Sequence, residues 1–420
     1  MKIVHLNTHS HGGAAVVARR LHRAALASGI DSTFITKYGT QDASVPGYRA
    51  LRDARLLELV RTTATHPQVY AIGKLVERRL QHRNLANRPA GFEIFSPITK
   101  TNRYQNCLDS ENPAVVHLHW VAGFVDHPAF FQRNADRKFV WTLHDMNPFT
   151  GGCHHADGCT RYQSGCTACP QLEGTIDGEY GARVLANKIQ ALAALRDEQL
   201  VIASPSAWLL RLSQQSPVTA RFRHVQVFNP SLDAVPAANT TTFKLEHHIP
   251  RDKKIVLFIS ENLRNSRKGI TLLFDAVRAM PRRADVHLVA IGRRSDAPTD
   301  VPITFTGRIT DETTLAGYFS VSDVVVNPSV MENSPLNIIE GLTYGTPAVA
   351  FDVGGVGELI TADCGAVVRD RSPAALAAAL EEVLFERDCD REALKRKAAR
   401  HAPAAVMRQY RSIYEELVAS

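Results

Sequence analysis

Short apolar runs rich in β-branched residues recur along this chain, each followed by a stretch with helical spacing, and that alternation restricts the fold more than any other feature. One series is KIVHLN (2–7), STFIT (32–36), AVVHLHW (114–120), KFVWTLHD (138–145) and QLVIAS (199–204). A second is KIVLFIS (254–260), VHLVAIG (286–292), ITFTG (303–307), DVVVN (323–327) and PAVAF (347–351). Strands that are apolar on both faces need helices on both faces, so each series predicts a parallel, doubly wound α/β sheet. Two sheets suit a chain of 420 residues, which is too long for one ordinary core. Between the series, residues 229–253 are rich in Pro, Ala, Thr and Asn without periodicity, and they read as a hinge. Near the end, VMRQYRSIYEELV (406–418) places Val406, Tyr410, Ile413, Tyr414 and Leu417 on one helical face, which must dock on something.

The stretch MENSPLNIIEGLTYGTPAVAF (331–351) carries the chemistry. A strand at 322–330 feeds it, Ser334 reads as an N-cap, and Pro335 suits the first helical position, where a missing N–H costs nothing. The helix is expected from 335 to 343, with the next strand at AVAF, which makes one βαβ unit. Ligands of such units sit beyond the strand's carboxyl end, where free N–H groups at the helix N-terminus favour an anion such as phosphate. Glu332 precedes that helix and Glu340 lies inside it, roughly 8 Å further along the axis at 1.5 Å per residue. A carboxylate only accepts hydrogen bonds, so two of them flanking a phosphate site suit a ligand with hydroxyls on both sides of a diphosphate, which is the form of a nucleotide sugar. Taken alone, the pair is equally a solvated loop residue and a surface helix residue.

Composition narrows the remaining classes. With 45% hydrophobic and 22% charged residues, and no run of eighteen apolar positions, the chain reads as globular without a membrane span. MKIVHLNTHSHGG turns polar too early for a signal peptide, so a cytoplasmic location is expected. A net charge of +7 mildly favours anionic partners and does not require nucleic acid. The basic stretch 75–88 reads as a solvated helix face, with peripheral contact to a membrane-borne acceptor as the alternative.

The E-x7-E pair, together with HSHGGAAVVARRLH (9–22), WTLHDMNPFTGGC (141–153), SENLRNSRKG (260–269) and FDVGGVGELI (351–360), resembles the GT-B glycosyltransferases. Within them the resemblance is to the retaining family 4 branch of bacterial surface-polysaccharide assembly, and it covers nearly the whole chain. It implies two Rossmann-like domains facing across a cleft. Residues 1–230 would bind the acceptor, with helix 404–420 packing back on them; 231–253 would be the hinge; 254–403 would bind the nucleotide sugar. By the same resemblance Glu332 contacts the donor sugar, Glu340 the ribose hydroxyls, and Ser334 with the N–H groups of Leu336 and Asn337 the diphosphate. Lys268 neutralises the leaving diphosphate, and His144 reaches the sugar near the bond being broken. Many members carry an arginine where this chain has Asn262, so either Arg264 or Arg267 supplies that cation or an amide serves in its place. Gly12 and Gly13, between the first strand and a helix start, permit close approach of backbone to a ligand. The implied reaction is glycosyl transfer with retention to a glycan, lipid-linked or small-molecule acceptor, with no cofactor required for catalysis. A nucleotide-sugar epimerase or hydrolase of the same fold, or a catalytically idle binding protein, are the rival readings.

Four of the seven cysteines, Cys153, Cys159, Cys166 and Cys169, fall within seventeen residues. A Cys-x2-Cys pair is half of a common tetrahedral zinc site, whereas the spacing of the other two is irregular and His154 or His155 could replace either. A structural zinc and a set of reduced thiols in a loop are both open readings.

Overall fold

A computed structural model of the chain describes residues 1–53, 83–100, 104–233, 239–293 and 300–420. Most of the basic stretch at 75–88 lies outside these residues. The chain divides into two compact units, Met1–Val227 with Met407–Ser420, and Phe228–Val406.

The first unit is built on seven parallel strands: β1 (Lys2–His9), β2 (Asp31–Gly39), β3 (Tyr48–Asp53), β4 (Val115–Leu118), β5 (Lys138–Thr142), β6 (Leu200–Ser204) and β7 (Arg223–Gln226). Their order in the sheet is β3-β2-β1-β4-β5-β6-β7. The second unit has six: β8 (Lys254–Asn262), β9 (Val286–Arg293), β10 (Ile303–Gly307), β11 (Val324–Asn327), β12 (Ala348–Phe351) and β13 (Gly365–Val368), in the order β10-β9-β8-β11-β12-β13. All pairings within both sheets are parallel. Every strand expected from an apolar run is present. Three more, β3, β7 and β13, were not expected, and all three are sheet edges. An edge strand has only one neighbour and meets water, so YRALRD and RHVQ carry charges in place of an apolar run.

The segment read as a hinge contributes to packing. Asn239 accepts the N–H of Thr242 at 3.1 Å and starts a helix, Thr240–Glu246, whose Phe243 ring meets Tyr318 edge-on at 5.0 Å. Gly317 makes room for that ring, since a Cβ there would stand 2.2 Å from it. Seven residues with one buried aromatic are too few to leave a periodic signal, which is why composition alone suggested a loop. Residues 234–238 lie outside the described residues.

The C-terminal helix, Pro403–Ala419, buries the anticipated face: Val406, Tyr410, Ile413, Tyr414 and Leu417 are each no more than 5% exposed. From Met407 onward it belongs to the first unit. There the Tyr414 hydroxyl meets His117 Nδ1 at 2.7 Å, and the Tyr410 hydroxyl meets Thr142 Oγ1 at 2.7 Å. Burial pushes the Tyr414 phenol well above its ordinary pKa, so it bonds as a neutral hydroxyl. Tyr414→Phe therefore leaves a buried imidazole nitrogen without its partner, and a loss of about 1–3 kcal/mol is expected in the unfolding of this unit. An unchanged urea midpoint for the variant would refute the contribution.

Candidate active site

Helix Leu336–Thr343 follows the loop leaving β11, but it begins one residue later than the sequence suggests. Pro335 is the N-cap, with extended backbone at φ −68° and ψ 123°. Ser334 therefore stands one position too early to cap, and its hydroxyl makes no capping bond. Its Oγ is buried and has no hydrogen-bond partner among the described residues, while its carbonyl accepts Asn229 Nδ2 at 3.1 Å. The Asn337 side chain accepts Asn327 Nδ2 at 3.1 Å and so ties the first turn to the end of β11. Of the first N–H groups, that of Ile338 is taken by Asn337 Oδ1 at 3.0 Å, while those of Leu336 and Asn337 precede the first intrahelical backbone bond.

The two glutamates are not surface residues. Glu332 is 9% exposed and Glu340 5%. A second loop meets Glu332: the turn Ser266–Lys268, started by Asn265, whose side chain accepts the Arg267 N–H at 2.9 Å. Lys268 Nζ lies 2.5 Å from Glu332 Oε1, and Arg267 Nη1 lies 3.5 Å from the same oxygen. Arg267 also donates to the Met331 carbonyl at 2.7 Å. Burial works to raise the Glu332 carboxyl, but Lys268 and Arg267, with hydrogen bonds from Lys268 and Ser329, outweigh it and hold the group below 4.5. Of the two arginines expected near Asn262, Arg267 is the one joined to this cluster; Arg264 is exposed. Asn262 shapes the turn, its Oδ1 accepting the Arg264 N–H at 3.0 Å. Gly269 closes it at φ +74°, so near the Pro328 carbonyl that a Cβ would stand 2.0 Å from the oxygen.

His144, Gly12 and Gly13 belong to the first unit. Gly12 is the N-cap of helix Gly13–Ala27 at φ +86°, and a Cβ on Gly13 would meet nothing within 4 Å. His144 follows β5, and its Nε2 meets His119 Nδ1 at 3.1 Å. His119 Nε2 in turn meets His5 Nδ1 at 3.0 Å, and His5, His117 and His119 bring their nitrogens within 4.8 Å of one another. Burial lowers His144 to about 4, with Asp145 opposing, so the ring is neutral near pH 7. This buried histidine chain was not anticipated. Its one signal is HLH at the end of β4, where His117 and the residue just past the strand, His119, are two apart and so share a face. Asp145 is held in turn by His154 Nδ1 at 2.7 Å and Trp120 Nε1 at 2.8 Å.

Cys153, Cys159, Cys166 and Cys169 line one small cavity of the first unit. Neither His154 nor His155 lines it, and the His154 ring is engaged by Asp145 and by Ser96 Oγ at 2.7 Å. Burial pushes the Cys153 thiol up to about 12 and the Cys166 thiol to about 11. In the second unit an Asp-x-Asp triplet, Asp388-Cys389-Asp390, is a helix start: Asp390 accepts the N–H groups of Glu392 and Ala393, each at 3.0 Å. Among the described residues no helix is long and apolar enough to cross a membrane.

Residues 253–386 match the family of glycosyl transferases, group 1. Over 383 residues, 88% of each chain, the protein is 24% identical to a putative colanic acid biosynthesis glycosyl transferase, WcaC, of Escherichia coli K12. A shorter stretch of 121 residues is 37% identical to a GDP-mannose-dependent phosphatidylinositol dimannoside mannosyltransferase of Mycobacterium tuberculosis, covering 27% of this chain and 32% of that one. Among solved structures, the sucrose-phosphate synthase of Thermosynechococcus elongatus superposes with a TM-score of 0.65 at 18% identity, over 100% of this chain and 99% of that one. HepE of Anabaena, solved in complex with UDP and glucose, does so at 0.58 and 14% identity, over 98% of both chains. The fold is GT-B.

Proposed function

We propose that this chain, whose residues 253–386 are a group 1 glycosyl transferase domain, moves a glycosyl group with retention from a nucleotide-sugar donor to a glycan, lipid-linked or small-molecule acceptor. One observation carries the reading. Lys268, Arg267 and Glu332 cluster beside a helix N-terminus that also holds the buried, unpartnered Ser334 hydroxyl. Two cations, a hydroxyl and the N–H groups of Leu336 and Asn337 are what a diphosphate needs, and a flanking carboxylate takes sugar hydroxyls. That HepE was solved with UDP and glucose supports a nucleotide sugar as the ligand class.

In this reading the diphosphate binds between the helix N-terminus and Lys268. As the anomeric bond lengthens, negative charge grows on the leaving phosphate, and a fixed ammonium aimed at it stabilises the transition state more than the ground state. The acceptor hydroxyl attacks from the face the phosphate leaves, and the phosphate oxygen takes its proton. Glu332 orients the sugar and holds Lys268; Glu340 binds the ribose. The cations already present perform the electrostatic work, so the reaction is assigned no catalytic metal. The acceptor is assigned to the first unit, and His144, neutral near pH 7, acts there as a hydrogen-bonding group.

A thermal-shift screen against UDP-, GDP-, ADP- and TDP-sugars tests the donor, because a ligand bound only by the native state must raise the melting temperature. Product analysis with glycan acceptors then separates the rivals: nucleotide released without sugar transfer would replace this reading by a hydrolase or an epimerase.

Glu332→Gln should remove most transfer activity and also lower stability, since it leaves two cations without their carboxylate. The sign with pH follows from the depressed carboxyl. Its contribution is fully present above the ordinary glutamate value of 4.5 and is lost as pH falls through the lower folded value. The stability gap between wild type and Glu332→Gln is expected to be constant from pH 6 to 8 and to close in acid. A gap that widens in acid would contradict the assigned pairing.

A further inference from the structure

The cysteine cavity lies outside the proposed reaction, and its surroundings are built for a dianion. Its walls are held from two sides. Residues 94–96 clamp onto 152–154, with Phe95 and Cys153 forming an isolated antiparallel bridge and the Ser96 N–H reaching the Gly152 carbonyl at 2.8 Å. Opposite, the Cys166 N–H donates to the Arg161 carbonyl at 2.8 Å, which starts the turn that carries Cys166 and Cys169. Two glycines make space for these sulfurs. A Cβ on Gly151 would stand 2.8 Å from Cys166 Sγ, and one on Gly181 would stand 3.3 Å from Cys169 Cβ. All four cysteines are free thiols.

The second observation concerns charge. Lys188 is only 5% exposed, and its ammonium donates to the Asn147 and Thr150 carbonyls. Cys153, the Asp145 carboxylate and Cys166 act on it electrostatically, and among the described residues it forms no direct ion pair with a carboxylate. Its field falls on Cys153 and Cys166. Arg88 bonds the carbonyl of Gln171, a wall residue of the cavity, at 3.1 Å, and its field reaches Cys153 and Cys169. Two cations thus act on three of the four thiols, Cys153, Cys166 and Cys169.

We propose that Cys153, Cys159, Cys166 and Cys169 bind one zinc ion as a tetrahedral tetrathiolate whose double negative charge is balanced by Lys188 and Arg88. On binding, each thiol gives its proton to solvent and its sulfur lone pair to the metal, so one Zn²⁺ and four thiols yield a dianionic centre and four released protons. Among the described residues the four sulfurs do not form a group as compact as the His5, His117 and His119 nitrogens, and the ion draws them together by side-chain rotation. Four protein ligands close the shell, so the site is structural and activates no water. It pins the loop 151–172, which follows directly on His144 and Asp145.

Elemental analysis of the full chain, purified without chelator, incubated with one equivalent of zinc sulfate and desalted, is expected to give about one zinc per chain. Cobalt in its place should give the visible absorption of a tetrahedral thiolate site, a signal read on the wild type and independent of whether any variant folds. Cys166→Ser with Cys169→Ser should abolish retention, and Cys389→Ser, in the other unit, should leave it intact. Less than about a tenth of an equivalent, with all four thiols titratable in the native protein, overturns the proposal. So does a disulfide among the four in non-reducing mass spectrometry. Zinc retained at about one equivalent by the double variant overturns it as well and moves the metal to another site, the buried His5–His117–His119 set being the first to examine.

Discussion

Lys268→Ala lowers the turnover of sugar transfer by about 10²–10³-fold, an expectation set by what removal of one preorganised charge-stabilising group costs elsewhere, about 3–4 kcal/mol. The ammonium is held 2.5 Å from Glu332, so it is fixed before substrate arrives and loses little on reorganising during the reaction. Its removal also leaves Glu332, a buried carboxylate, with Arg267 at 3.5 Å and the Ser329 hydrogen bond but without its nearest cation, and the variant will be less stable. The two effects are separable. A stability loss is common to any readout of folding, whereas loss of transition-state stabilisation appears in kcat measured on the folded fraction at saturating donor. Lys268→Arg should recover part of the rate, since charge is kept and geometry changed. A loss of tenfold or less in Lys268→Ala would transfer the role to Arg267, the other cation on this cluster.

Gly269→Ala is expected to be strongly destabilising. At φ +74° the backbone is left-handed, which costs a residue with a Cβ about 1–2 kcal/mol. The added carbon would also stand 2.0 Å from the Pro328 oxygen and 2.8 Å from its carbonyl carbon. Both obstacles are backbone, so no rotamer change relieves them, and overpacking adds about 1–3 kcal/mol. A total loss of about 2–5 kcal/mol follows. Fluorescence will not report it, because Trp120, Trp141 and Trp208, the chain's three tryptophans, all belong to the first unit. Calorimetry of the second unit's transition is the suitable measurement. A shift within error would mean that Pro328 yields without cost, and the tight apposition of the Lys268 turn to the strand end would not matter.

What could be read from the sequence follows physical lines. Central strands such as β8 and β11 are apolar on both faces and announce themselves; the edges β3 and β7 are half-wet and do not. The face of the last helix was legible because burial recurs there at helical spacing. Glu332 and Glu340 were legible as a pair, yet their burial was not, and Glu332 is covered by the Lys268 turn 64 residues earlier in the chain. The cap was misplaced by one residue because Ser-Pro is a good start signal at two adjacent registers, and only the extended ψ of Pro335 decides between them. The link from His144 through His119 to His5 joins β1 to two segments that follow strands, with separations of 25 and 114 residues, and no local spacing encodes such a contact.

The closing helix has a consequence for how the chain is made. Its inward face, with Tyr410 and Tyr414 bonded to Thr142 and His117, completes a core whose other parts end at Val227. On a ribosome, the seven-stranded unit therefore waits through the synthesis of all of Phe228–Val406 before it can be sealed, a delay of about 10–40 s at 5–20 residues per second. Its translation order and its folding order are opposed: the unit begun first is finished last. A fragment stopped at Val227 would leave His117 and Thr142 uncovered, and a nascent chain in that state is the form a chaperone would meet.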